Sequence, residues 1–179
     1  LPASVGGIYG CGGYNAVNVG SHADCYYDTM NGNISVSGAG SNFSVGGLLG
    51  HNGAQIGNKV GETCKISCTL SGGAIYIGGL VGSIRGGATY TSIKSSSCAA
   101  DIEVGYEGEQ DNIRVGGLIG GQGGASGSYL TGRDNTACAF HGSVITTSLS
   151  KYVGFLVGHA DGASATKTFG DKDFPIQTS

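Results

Sequence analysis

Six cysteines, four histidines and twelve carboxylates are the side chains of this 179-residue sequence best suited to chemistry beyond packing. Cys25, Cys64, Cys98 and Cys138 recur at related places, whereas Cys11 and Cys68 fall outside that series. An even number of cysteines suits a disulfide framework in a small secreted protein. A Cys11–Cys25 or a Cys64–Cys68 bridge is open on that reading, and so is a bridge between cysteines of the series, with connectivity not fixed by sequence. The same residues as buried free thiols act as small hydrophobes that fit a tight corner. Cys64-x-x-x-Cys68 has neither a second cysteine pair nor a histidine pair at zinc-ligand spacing, so neither a metal nor another cofactor is expected. Of His22, His51, His141 and His159, only His51 and His159 hold equivalent places, each one residue past a repeated hexapeptide and three repeats apart. That is too far to share a metal, and the four read as exposed loop residues.

The carboxylates Asp101, Glu103, Glu107, Glu109 and Asp111 form an acidic stretch. Cleaving a glycosidic bond takes two acids separated by about 5–10 Å, but these run along and beyond a strand as outward charge, with no Arg or Lys cluster to complete a lyase. Asp171-Lys172-Asp173 lacks the longer acidic register of a calcium loop. No G-x-S-x-G marks a nucleophile elbow, and the chain is expected not to be an enzyme. The T-x-T segments at Thr89–Thr91 and Thr166–Thr168 are too few for an ice-binding array. Asn33-Ile34-Ser35 and Asn42-Phe43-Ser44 make Asn33 and Asn42 candidate N-glycan acceptors in a eukaryotic secretory route.

The elements that must carry these groups are repeated. The hexapeptide V-G-G-I-Y-G at Val5 returns as V-G-G-L-L-G at Val45, I-G-G-L-V-G at Ile77, V-G-G-L-I-G at Val115 and V-G-F-L-V-G at Val153. The intervals are 45−5=40, 77−45=32, 115−77=38 and 153−115=38, a unit of roughly 38 residues. In the first four units a cysteine follows the hexapeptide and opens a strand-like stretch: Ile34-Ser35-Val36, Cys68-Thr69-Leu70, Ile102-Glu103-Val104 and Val144-Ile145-Thr146. The first three of these alternate apolar with polar at period two. A third element begins near Gly53-Ala54, Gly87-Ala88, Gly124-Ala125 and Gly162-Ala163. With 37 glycines in 179 residues no long helix survives. Units that cannot bury their own apolar face gain stability by stacking. The expected fold is therefore all-β: one β-solenoid domain over residues 1–179, with about five coils starting near Val5, Val45, Ile77, Val115 and Val153, and three short strands per coil. Equivalent residues then stack about 4.8 Å apart, with Val45, Leu48 and Leu49 in the core and Cys25, Cys64, Cys98 and Cys138 as a ladder at one corner.

Composition narrows the function. Charged residues are 12% and the formal net charge is −3, and the 9 Lys and Arg do not form the basic stripe a nucleic acid demands. The glycines follow no three-residue period, which excludes collagen. Hydrophobic residues at 39% argue against disorder. No apolar run approaches the roughly 18 residues of a membrane-spanning helix. Leu1 stands first and no signal-peptide pattern follows it, so any leader is expected to be removed or to lie outside this sequence.

The hexapeptide, followed by Asp24-Cys25-Tyr26-Tyr27 and Gly32-Asn33-Ile34-Ser35-Val36-Ser37-Gly38, resembles the GLUG-motif repeat. The resemblance covers nearly the whole chain. It departs at Phe155, which replaces a glycine, in units two to four, which lack the tyrosine after the cysteine, and in the fifth unit, which has no cysteine. It implies the repeats of bacterial surface and adhesin-like proteins, where they are not the catalytic part. A secreted or cell-surface structural protein is expected, a self-assembling surface or filament building block. The alternative is an adhesin-type module binding a glycan or a host or cell-surface protein. Thin caps at Leu1 and Pro2 and at Phe174, Pro175 and Ile176 make those residues candidate assembly contacts with a second copy.

Overall fold

The computed structural model describes residues 3–7, 9–12, 25–52, 55–60, 64–85, 92–93, 97–108, 112–123, 139–146 and 152–160. Among them the chain is almost entirely strand, with no α-helix, and the fold is all-β. In chain order the strands are β1 (Ala3–Gly6), β2 (Tyr9–Gly12), β3 (Cys25–Met30), β4 (Asn33–Gly46), β5 (Leu49–Asn52), β6 (Gln55–Val60), β7 (Lys65–Gly78) and β8 (Val81–Arg85). They continue as β9 (Ser92–Ile93), β10 (Ser97–Cys98), β11 (Asp101–Glu107), β12 (Ile113–Gly116), β13 (Ile119–Gly123), β14 (Ala139–Phe140), β15 (Ser143–Thr146), β16 (Tyr152–Gly154) and β17 (Val157–Ala160).

These strands form three parallel sheets. The first runs β1-β4-β7-β11-β15, with β12 joining β7 to β16; the second runs β2-β5-β8-β13-β17; the third runs β3-β6-β10-β14, with β9 on β6. The chain visits the sheets in the order first, second, third and then returns to the first one strand further along. Every pairing therefore joins residues about one sequence repeat apart. In the first sheet Val5 lies opposite Val45, Val45 opposite Ile77, Ile77 opposite Val115, and Val115 opposite Val153. The hexapeptides thus pair with one another residue for residue.

Alternation decides which face is buried. Along β7, Ile66, Cys68 and Leu70 are buried, while Lys65 and Thr69 are exposed. Along β11, Ile102, Val104 and Tyr106 are buried, and Asp101 and Glu103 face solvent. Successive side chains of a strand point to opposite faces, so parallel register turns each buried position into a column such as Ile34–Ile66–Ile102–Val144. Past the glycine pair of the hexapeptide, Leu48, Leu80 and Leu118 are fully buried and joined by backbone hydrogen bonds, Leu48 N–H to Leu80 O at 3.0 Å and Leu80 N–H to Leu118 O at 3.0 Å.

Close backbone approach explains the first glycine of the hexapeptide. A Cβ on Gly46, Gly78, Gly116 or Gly154 would collide with the carbonyl oxygen three residues ahead: Leu49, Val81, Ile119 and Val157 in turn. The bend that carries the chain from the first sheet into the second leaves no room there for a methyl group. Within the long strand β7, Gly72 has φ +112° and lies against the Gly40 backbone. The Tyr106 hydroxyl donates to the Gly72 carbonyl at 2.7 Å.

One expected alignment fails. Cys68-Thr69-Leu70 is not the counterpart of Ile34-Ser35-Val36, because Cys68 lies opposite Val36 and Val104. The second unit carries two more residues than its neighbours between the third sheet and the first. Val60 precedes its strand β7 by five residues, whereas Met30, Cys98 and Phe140 precede theirs by three. Two residues is one full period of a strand, so this slip leaves every side chain on its expected face.

Candidate functional site

Three groupings of polar or reactive side chains stand out among the described residues. The first lies where the third sheet turns back into the first. In the third sheet Met30 is opposite Val60, Val60 opposite Cys98, and Cys98 opposite Phe140. Met30, Cys98 and Phe140 rest on the second glycine of the hexapeptides: a Cβ on Gly7 would press on Met30, one on Gly79 on Cys98, and one on Gly117 on Phe140. At the fifth hexapeptide Phe155 takes the place of that glycine, and its ring meets Phe140 edge to face at 5.0 Å. Cys64 enters this corner from the two-residue expansion of the second unit. Its Sγ lies 3.3 Å from Met30 Sδ. Cys64, Cys68 and Cys98 are buried free thiols.

The second grouping is a column on the first sheet, Ser44–Tyr76–Arg114–Tyr152. The Arg114 guanidinium lies between two rings, 5.0 Å from the Tyr76 centroid and 5.4 Å from that of Tyr152. Nη1 of Arg114 donates to the Asn112 carbonyl at 3.4 Å. Tyr152 meets the His159 ring edge-on at 4.2 Å, and Ser44 shares a 2.7 Å hydrogen bond with Ser83 of the second sheet. A cation held over aromatic faces contributes about 0.5–2 kcal/mol according to its desolvation, so this column ties neighbouring repeats together.

The third grouping is the solvent face of β4, β7, β11 and β15. Asn33, Lys65, Asp101 and Ser143 form one column and Ser35, Ser67, Glu103 and Ile145 the next. Ser143 Oγ donates to Asp101 Oδ1 at 2.6 Å, the Lys65 backbone N–H donates to Asn33 Oδ1 at 3.2 Å, and Lys65 pairs with Glu103 at 2.8 Å. The Glu103 carboxylate raises the Lys65 pKa through its hydrogen bond and charge. Both partners of that ion pair are about half exposed, so its net contribution to stability is small.

The cysteine ladder is only partly assembled. Cys25 lies in β3 opposite Ile56, not opposite Cys64. Cys98 lies opposite Val60 and Phe140. Cys64 reaches the same corner from a different backbone position and contacts Met30 there. A Cys64–Cys68 bridge is ruled out by strand geometry: residues four apart in an extended chain have Cα atoms about 13 Å apart, far beyond disulfide reach. Cys11 lies in β2 opposite His51, and His51 continues through Ser83 and Gly121 to His159 in one register. Asn33 and Asn42 are exposed, as are Asp101, Glu103, Glu107 and His141. Cys138, His22, Glu109, Asp111, the Gly-Ala pairs and Leu1, Pro2, Phe174, Pro175 and Ile176 lie outside the described residues.

Met30, Arg114 and Tyr152 carry no motif and emerge only through the register. Aligning units on strand starts rather than on cysteines sets Met30-Asn31-Gly32-Asn33 beside Cys98-Ala99-Ala100-Asp101 and Phe140-His141-Gly142-Ser143, and would have marked Met30.

Burial pushes the Cys68 and Cys98 thiols up to about 12. A group whose folded pKa lies above its unfolded value stabilises the fold below the unfolded pKa and loses that contribution as pH rises towards the folded one. With an unfolded thiol near 8.5, the urea midpoint is expected to hold to about pH 8 and to fall between about pH 9 and 12. The Cys68→Ala/Cys98→Ala variant, although less stable at neutral pH, is expected to show a flatter decline over that window. Equal slopes in the two proteins would contradict the burial of these thiols.

Among the described residues no group of three His, Cys, Asp or Glu converges on one point. No helix there is long and apolar enough to cross a membrane. A scan against protein-family models and searches of curated proteins and of solved structures return no match to this chain.

Proposed function

We propose that this chain is a β-solenoid of about five coils, roughly 38 residues and three short strands to a coil, acting as a non-enzymatic structural protein outside the cell. It is secreted or displayed on the surface and builds filaments or surface layers by self-association. The observation that carries this reading is the likeness of the two ends of the stack. Strand β1 presents Val5-Gly6 at one edge of the first sheet and β16 presents Val153-Gly154 at the other, and these same residue types pair at every step between them. A second copy whose β1 adds to β16, Val5 against Val153, prolongs the ladder. Unpaired parallel edges are templates for such addition, and a head-to-tail contact that does not close yields a filament. Leu1, Pro2, Phe174, Pro175 and Ile176 are the proposed flanking contacts. The resemblance to GLUG-motif repeats supports the surface location. No cofactor, nucleic acid or membrane-spanning segment has a part in this reading.

The solvent face of β4, β7, β11 and β15 favours a second reading, an adhesin-type module of a larger surface protein. It is a broad sheet face of Asn, Ser, Thr and paired charges suited to hydrogen-bonding a glycan or a protein. Electron microscopy and sedimentation velocity across a concentration series separate the two. Assemblies that lengthen with concentration, and that Val5→Lys and Val153→Lys each reduce to single particles of unchanged circular dichroism, are the expected result. Single particles of the unaltered protein at every concentration would overturn self-assembly, and binding in a glycan screen would then establish the adhesin reading.

A further inference from the structure

Asn31-Gly32 is one of two Asn-Gly dipeptides in the chain, the other being Asn52-Gly53. It makes the turn from the third sheet into the first, between β3 and β4 and outside both strands, and Asn31 is exposed there. The same turn in later units carries Ala99-Ala100 and His141-Gly142. These turns differ in room. A Cβ on Gly142 would collide with the Ala100 backbone, whereas one on Gly32 would meet only Met30 Cε at 3.9 Å. Gly32 has φ +146°, a region that glycine enters readily. Its amide takes no part in a strand ladder and bonds the Cys64 thiol instead, whose sulfur is a weak acceptor. The neighbouring edge of the first sheet is also open. β1 pairs with Phe43–Gly46 only, so among the described residues no strand lies on the far side of Asn33 from Lys65.

We propose that Asn31 is a site of spontaneous covalent modification, at which the folded chain converts its asparagine to aspartate and isoaspartate through a cyclic imide. The reaction needs a side-chain carboxamide, the main-chain nitrogen of the next residue, and water. The Gly32 nitrogen gives its proton to a solvent base and attacks Cγ of Asn31. The N–Cγ bond forms, the Cγ–Nδ2 bond breaks, and the amide nitrogen takes a proton from water and leaves as ammonia. Water then opens the ring. Cleavage of the new N–Cγ bond gives aspartate, and cleavage between that nitrogen and the main-chain carbonyl carbon of Asn31 gives isoaspartate. No oxidation state changes, and either product carries one more negative charge than the parent. The residue after the asparagine governs the rate, because its nitrogen is the nucleophile. Ile34, Phe43 and Ile113 follow Asn33, Asn42 and Asn112, and their side chains crowd a nitrogen that Gly32 leaves open. Asn52 precedes a glycine too, but it is paired on both sides, with Gly12 and with Ile84, which fixes its main chain. Isoaspartate routes the main chain through the side-chain carbons and so adds one methylene to the link between β3 and β4. Met30 and Asn33 then cannot both keep their register, and the first unit loosens as the molecule ages. The inference does not depend on whether the chain assembles.

The test incubates the full, folded chain in mildly alkaline buffer. Peptide mapping by mass spectrometry reads the gain of a single mass unit residue by residue, and a protein-isoaspartate methyltransferase labels isoaspartate alone. The expected result is conversion at Asn31 at least about tenfold faster than at Asn33, Asn42 or Asn112, because the attacking residue lacks a Cβ, with both products formed and a rate that rises with pH. Asn31→Gln, whose longer side chain closes a less favourable ring, is expected to keep the circular dichroism of the parent and to lose most of the label. Conversion at Asn31 no faster than at Asn33, or conversion seen only once the chain is unfolded in urea, would overturn the proposal. Label undiminished in Asn31→Gln would do the same, by placing the isoaspartate elsewhere in the chain.

Discussion

Gly116→Ala is expected to destabilise the fold by about 3 kcal/mol, lowering Tm by roughly 6–12 °C for a chain of this size. The new methyl group would meet the Ile119 carbonyl oxygen and the Gly158 backbone nitrogen. Both obstacles are main chain, so no rotamer change relieves the clash, and the bend between the first and second sheets must open instead. Gly38→Ala is the matched control. Gly38 has φ +151°, and a methyl group added there would meet nothing within 4 Å, so its cost is conformational only, about 1 kcal/mol. Thermal unfolding of the two variants side by side checks the argument: equal losses would mean that the two backbones do not approach closely at Gly116.

Leu80→Ala is expected to cost about 2–5 kcal/mol, the range for emptying a fully buried leucine site. Leu80 has no exposed surface and stands between Leu48 and Leu118 in the stack. Removing its side chain strips contacts from the steps above and below at once. Leu156→Ala, in the last step described and only partly buried, is expected to cost about 1 kcal/mol, because it has one such neighbour rather than two. Urea midpoints measure both. A Leu156→Ala loss as large as that of Leu80→Ala would show that further chain covers the last step as fully as Leu80 is covered.

The hexapeptide was the most legible part of the sequence, for a physical reason. Its first glycine is enforced by a backbone collision at Gly46, Gly78, Gly116 and Gly154, and its flanking Val, Ile and Leu by burial in the second to fourth copies, so spacing and type are both constrained there. Val5, Val45, Ile77, Val115 and Val153 consequently fall into one register. The cysteines were less legible because the corner where Cys98 stands takes an apolar or polarisable side chain, not sulfur in particular. Met30, Cys98 and Phe140 satisfy it equally, so a ladder built on cysteines put Cys25 in the place of Met30, and the second unit was set two residues late, at Cys68 instead of Ile66, while Ile34, Ile102 and Val144 fell into register as expected. The Tyr76–Arg114–Tyr152 column was invisible for the opposite reason: its members differ from one repeat to the next and become a group only once the sheets are stacked. The outward placement of Asp101 and Glu103 followed directly from alternation with Ile102 and Val104.

In all three sheets the earliest strands stand at one edge and the latest at the other. A pull on the two ends of the chain is therefore directed across the strands, loading their ladders a few hydrogen bonds at a time and not all together in shear. Each step that detaches frees about 38 residues, roughly 130 Å of contour length, before the next begins to bear tension. Under mechanical load the chain is therefore expected to lengthen in near-equal increments, shedding one repeat after another.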